Sequence, residues 1–419
     1  MKQLTRLFIP ICLETLFYML SGMVDTLMLS AVGDYAVGAV GTANSYIGIF
    51  IIMFSIISSG MVSVMTQNIG AGRPGVAYQA RQLGLLFNAV AGVLMAVFLF
   101  SGAGAILRMV GIADALYEPA LIYLKIVGGG CILNAVIPIF SSYLRAFGYT
   151  KQPLYATIVG NIANFVMNAV FLFVLHKGVA GVAAATVISK ILNLCIVLYF
   201  SHKLISAKNS TERIANKTVL GQIVKVGLPS ACETALYNVA MMLVIRFLNQ
   251  MDAEGLNVTA RSYTATISNF SYCVGAALAQ ANAIMTGWHI GAGELEECDR
   301  GTKRAAFVGV CVAVCMETAI VLGSGFIMPL FTDNPEMTAL VRKLLAIDIV
   351  LEIGRVTNLV FGQALKTSGD AVFPAVIAAV FMFVFAVGGT WLFGISMGLM
   401  AVGAYIGLAS DECVRAVGM

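Results

Sequence analysis

The stretch LETLFYMLSGMVDTLMLS, Leu13 to Ser30, is a near-continuous apolar run of the length that a helix needs to cross a bilayer. Similar runs recur along the whole chain, separated by short charged or Pro/Gly-containing breaks. A barrel strand would need only about 9–11 residues of alternating polarity. A soluble domain carries roughly 25% charged residues, whereas this chain is 59% hydrophobic and 11% charged, with a mean hydropathy of +0.91. The runs predict helices near 7–31, 37–66, 78–102, 118–141, 153–175, 178–201, 220–249, 257–287, 302–328, 338–363, 371–394 and 397–417. The expected fold is an all-α polytopic membrane protein with twelve spans.

The first run is too long for a signal-peptide core and lacks a small-residue cleavage site, so it reads as a mature span. Lys and Arg set the orientation. With the N-terminus in the cytoplasm, Arg108, Lys177, Arg342 and Lys343 are the basic residues of the outer loops, and the inner segments hold a large excess. That asymmetry predicts a multi-pass protein of the cell membrane with both termini on the cytoplasmic side. The net charge of +4 is therefore an orientation signal and gives no reason for a nucleic-acid partner. The 9 cysteines sit mostly in apolar runs and read as small hydrophobes. His176, His202 and His289 fall at membrane edges and make no metal site. Neither a GxxxxGK[ST] loop nor an HExxH motif occurs, so direct ATP drive and a zinc-peptidase chemistry have no support.

An internal repeat sets the architecture. IPICLET at Ile9–Thr15 returns as LPSACET at Leu228–Thr234, and Tyr18 returns as Tyr237, at an offset of 219. Leu144, Gly148 and Pro153 return as Leu365, Gly369 and Pro374, at an offset of 221. The chain thus divides into an N-lobe at 1–200 (helices 1–6), a polar cytoplasmic linker at 201–219 and a C-lobe at 220–419 (helices 7–12). Six is even, so the halves are parallel repeats, which in transporters place the substrate path at a central cleft between them.

Asp25 stands out within the first run. A carboxylate at the centre of a spanning helix costs about 2.5–3.5 kcal/mol on insertion scales, so such residues turn inward and act there. At 1.5 Å per residue, Asp25 lies roughly 8–9 Å below the outer end of its helix, and Asn168, Thr186 and Asn164 lie roughly 10, 12 and 16 Å below the outer ends of theirs. Asn164 and Asn168 share one helical face. A carboxylate, two amides and a hydroxyl are hard oxygen donors suited to an alkali cation, and the carboxylate can instead take a proton. The Asn and Thr side chains alone are equally compatible with bonding helix to helix.

Other polar residues are read more simply. Glu352 and Arg355 stand i, i+3 and can neutralise each other. Glu14 and its repeat counterpart Glu233 have no sequence-local partner, and Lys125 and Lys190 can snorkel or pair. Tyr18, Tyr46, Tyr237, Tyr263 and Phe50 can pack or offer ring faces to an organic cation.

VDTLMLSAVGDYAVGAVG at 24–41, QNIGAGR at 67–73, LRAFGYTKQP at 144–153, GVAGVAAAT at 178–186, LKTSGDAVFP at 365–374 and DECVR at 411–415 together resemble the multidrug and toxic compound extrusion (MATE) family, in order and over nearly the whole chain. The resemblance implies a monomeric antiporter that exports small amphipathic, cationic organic molecules against inward-moving Na⁺ or H⁺, with no other cofactor. It implies a cation site at Asp25, Asn164, Asn168 and Thr186; because the helix-1 and helix-7 faces are expected to line the cleft, Glu14, Tyr18, Glu233 and Tyr237, with Glu352 and Arg355, are the candidate substrate-cleft residues. Some members carry a second Asp where this chain has Asn168, and that loss of a titratable group leans toward Na⁺. Sodium-coupled members often have acidic residues where this chain has Tyr237 and Arg355, so a cation site in the C-lobe is not expected. The alternatives are a lipid-linked oligosaccharide flippase of the same superfamily, an intramembrane enzyme and a channel.

Overall fold

A computed structural model describes residues 2–110, 112–205, 212–252 and 255–419. Among them the helices are α1 (Lys2–Ser30), α2 (Asp34–Gly70), α3 (Pro74–Val110), α4 (Asp114–Gly129), α5 (Cys131–Ala146), α6 (Lys151–Ala169), α7 (Gly178–Leu204), α8 (Asn216–Met251), α9 (Leu256–Ala292), α10 (Leu295–Ile327), α11 (Pro335–Ser368), α12 (Val372–Phe381) and α13 (Met400–Gly418). No strand occurs among the described residues. Each expected span has its helix.

The departures from straight rods have local causes. The fourth span bends by 41° between α4 and α5, where Gly128, Gly129 and Gly130 remove the side chains that stiffen a helix. The fifth continues from α6 into a π-helical turn, Val170–Val174, and the eleventh from α12 into two more, Met382–Val387 and Thr390–Ser396. Among the described residues eight helices are long and apolar enough to cross a membrane, or nine when α4 and α5 count as one span. The helices α9, α11 and α13 are more polar, and part of that polarity, Ser268, Ser271, Asp348, Glu352, Asp411, Glu412 and Arg415, is buried within the protein.

The chain forms two compact units, Met1–Gly227 and Leu228–Met419. The division falls inside α8 rather than in the polar 201–219 segment, part of which, 206–211, lies outside the described residues. The first turns of α8 belong to the first unit. Val219 and Ile223 are fully buried there in a cluster with Met61, Ile139, Tyr143 and Leu144. Gln79 brackets the approach to α8, donating to the Ile214 carbonyl at 2.7 Å and accepting from the Ile214 N–H at 3.2 Å. The backbones of α2 and α8 meet so closely that a Cβ on Gly60 would stand 1.9 Å from the Ile223 carbonyl oxygen, and one on Gly227 would stand 1.8 Å from that of Ile56. Only glycine permits this approach. In the second unit, α8, α9, α11 and α13 supply a core that includes Val244, Leu248, Leu344 and Tyr405.

Candidate functional site

In the first unit α1 packs on α6, and α6 on α7. The i, i+4 spacing stacks Asn164 and Asn168 on the α6 face that meets α1, where they are 5% and 0% exposed. Asn168 Nδ2 donates to Asp25 Oδ1 at 2.7 Å and to Asn164 Oδ1 at 3.1 Å. The hydrogen-bonded order is Asn164, Asn168, Asp25. Because Nδ2 serves both neighbours, Asn168 Oδ1 is left buried with no hydrogen-bond partner in the protein. A buried acceptor without a donor costs about 1–3 kcal/mol. The π-helical turn begins at Val170, two residues beyond Asn168, and such turns often accompany functional sites.

Thr186 on α7 does not touch Asp25 directly. Its hydroxyl donates to its own helix at Val182, 2.9 Å away, and it reaches the site through the buried Tyr123, whose hydroxyl meets both Thr186 and Asn44 and faces Asp25. Lys190, one turn further along α7, donates to Asn134 Oδ1 at 2.7 Å, and its charge acts on Asp25. The second unit holds a cavity of about 500 Å³ whose lining includes Glu233, Tyr237, Arg261, Asp348, Arg355 and Lys366.

A model of the MatE family matches residues 10–170 and 229–405, most of both halves. The chain belongs to the MATE family. It is 32% identical over 414 residues to YisQ, a transporter of Bacillus subtilis (strain 168), covering 97% of this chain and 90% of YisQ. The probable multidrug resistance protein NorM of Thermotoga maritima is 21% identical over 427 residues, 99% of this chain and 90% of that protein. The fold matches the crystal structure of the MATE transporter VcmN of Vibrio cholerae with a TM-score of 0.90 at 18% identity, covering 100% of this chain and 94% of that one. This MATE protein is a multi-pass membrane transporter, and its family is not one of enzymes.

Several expected cleft residues of the MATE protein are engaged by their own unit. Glu14 Oε1 accepts from Arg145 at 2.6 Å and from Thr157 at 3.5 Å, and Glu233 pairs with Lys366 at 2.7 Å. Neither carboxylate has a sequence-local partner, as expected: the partners are 131 residues or more away in sequence. Glu352 pairs with Arg355 as its spacing predicts, and Arg355 also lies 4.0 Å from Glu412. Tyr18 is 72% and Tyr237 41% exposed. Two of the other aromatic candidates pack against rings, Phe50 on Phe98 and Tyr263 on Phe331. Sequence reading missed Tyr123 and Asn44 near Asp25, and no local signal singles out either one. For Lys190 the signal was visible: a lysine one turn beyond Thr186 in an apolar helix requires a buried partner.

Proposed function

We propose that this MATE transporter is a secondary active exporter of small amphipathic, cationic organic molecules, driven by Na⁺ or H⁺ that binds at Asp25. The observation that carries the reading is the Asp25 carboxylate beside the unpartnered, buried Asn168 carbonyl. Such a pair offers hard oxygen to an alkali ion and a basic site to a proton. Efflux as the direction rests on the likeness to the multidrug resistance protein NorM. Cytoplasmic termini rest on the Lys and Arg asymmetry, and alternating access rests on the duplicated halves.

The flippase alternative is less well supported. A lipid-linked pyrophosphate wants several unpaired positive charges, yet Arg355, Lys366 and Arg415 at the second-unit cavity each face a carboxylate of the protein, which leaves Arg261 as the lining cation without an ion pair among the described residues. The deciding experiment is efflux of a fluorescent organic cation from proteoliposomes with Na⁺ and pH gradients imposed separately. Uphill movement under one gradient is expected. Equal movement with neither gradient overturns antiport.

A further inference from the structure

Five buried polar side chains of the second unit lie outside the site around Asp25. Glu317 on α10, Asp348 and Glu352 one turn apart on α11, and Ser268 and Ser271 on α9 are each no more than 4% exposed. They meet because α11 packs against both α9 and α10. One oxygen from each of the three carboxylates lies within 4.8 Å of the other two. Ser271 stands beside Glu317, and Ser268 beside Asp348.

The cluster is under-compensated. Glu352 Oε1 pairs with Arg355, but Glu352 Oε2, Asp348 Oδ2, both oxygens of Glu317 and the hydroxyls of Ser268 and Ser271 have no hydrogen-bond partner in the protein. The neighbouring carboxylate Glu412 is held at 2.7 Å by Arg415. Three carboxylates against the single guanidinium of Arg355, with Asp411 and Glu412 sharing Arg415, leave at least two formal negative charges without a partner. Buried charges in that position need a counter-ion or protons.

We propose that Glu317, Asp348 and Glu352, with Ser268 and Ser271, form a second cation site, confined to the second unit, that binds one hard divalent cation through oxygen alone. A divalent ion offsets two of those charges, where a monovalent ion offsets one. The donor set contains neither sulfur nor imidazole, which selects for calcium- or magnesium-like ions over soft metals. Calcium binds six to eight oxygens at about 2.3–2.6 Å, so ligands across the ion stand about 4.6–5.2 Å apart, and the observed spacing fits within that reach. The three grouped carboxylate oxygens supply half of the lower coordination number, and the unpartnered second oxygen of Glu317 and the Ser268 and Ser271 hydroxyls are further oxygen donors beside them. Ser268 and Asp348 also line the second-unit cavity, which gives the ion an entry path. The site owes nothing to the repeat: at the offset of 221 the first half carries Ala96, Val127 and Cys131 in place of the three carboxylates.

The test uses purified full-length protein carrying Asp25→Asn, so that the first-unit site does not contribute. Equilibrium binding of radioactive Ca²⁺, with Mg²⁺ and Na⁺ as competitors, and the Ca²⁺ dependence of thermal unfolding are measured at fixed pH. Saturable binding of one Ca²⁺ per chain is expected, displaced by Mg²⁺ more readily than by Na⁺. Changes in outer-sphere partners alone cost about 10- to 100-fold in affinity, so Glu317→Gln and Asp348→Asn should each weaken binding by about tenfold or more. Ser271→Ala, a milder variant that keeps all three carboxylates, should weaken it measurably. Absence of saturable divalent binding, or binding indifferent to Glu317→Gln, overturns the proposal and leaves protons as the compensation. Because every measurement is of binding in the Asp25→Asn background, its outcome is independent of whether Asp25 couples transport.

Discussion

At the scale of single residues, Asp25 and Asn168 do different work. Asp25→Asn removes the charge and keeps the shape, so gradient-driven efflux in proteoliposomes should be abolished while expression and membrane insertion stay normal. Asn168→Ala removes both the donor to Asp25 and the spare carbonyl. A hydrogen bond to a charged group contributes about 1.5–3 kcal/mol, so the concentration of coupling ion that half-activates efflux should rise about tenfold or more. Glu14 gives the opposite forecast. Since it is tied to Arg145, Glu14→Gln should cost about 1–2 kcal/mol, less than the loss of a partner from a fully buried pair because this one is only partly buried, visible as a lower melting temperature. Preference for organic cations over neutral analogues should be unchanged. Asp25 and the two asparagines were legible because a carboxylate in an apolar run and an i, i+4 pair are both local signals. The Glu14–Arg145 and Glu233–Lys366 pairs were not, although the offsets of 219 and 221 relate one pair to the other once the contacts are known.

At the scale of helices, the apolar runs located every span, because lipid leaves a backbone no alternative to satisfying itself. They did not foretell which helices the second unit would turn inward. The repeat position of Asp25 is Val244, fully buried in an apolar core, and the second unit's fully buried carboxylates sit instead on α10, α11 and α13. A duplicated fold therefore keeps corresponding ion pairs, Glu14–Arg145 and Glu233–Lys366, while moving its buried unpaired charge to different rods. The crossing of α2 and α8 gives a prediction of its own. Gly60→Ala places a methyl group against the Ile223 carbonyl, and overpacking of this kind costs about 1–3 kcal/mol. Reduced yield and a lower melting temperature in detergent are expected, whereas Gly221→Ala, with nothing within 4 Å of the added carbon, should be silent.

At the scale of the whole molecule, antiport is a statement about linkage. If the coupling ion and the substrate favour different conformations, each must weaken the other by the same factor. Titration of purified protein with an organic cation at several Na⁺ concentrations and pH values should show the apparent affinity falling as the coupling ion rises. The sequence repeat foretold two halves but placed their border in the linker, since a polar stretch is what a border looks like in one dimension. The border lies further on because Val219, Ile223 and Gly227 complete the first unit's packing. This has a consequence for biosynthesis. A nascent chain that has emerged only as far as the end of α7 still lacks part of its own first core, and the groove beside Gly60 stays open until the next helix arrives from the ribosome. Membrane-inserted fragments ending at residue 205 should therefore be digested by protease more readily than fragments ending at residue 251, even though both contain every helix through α7.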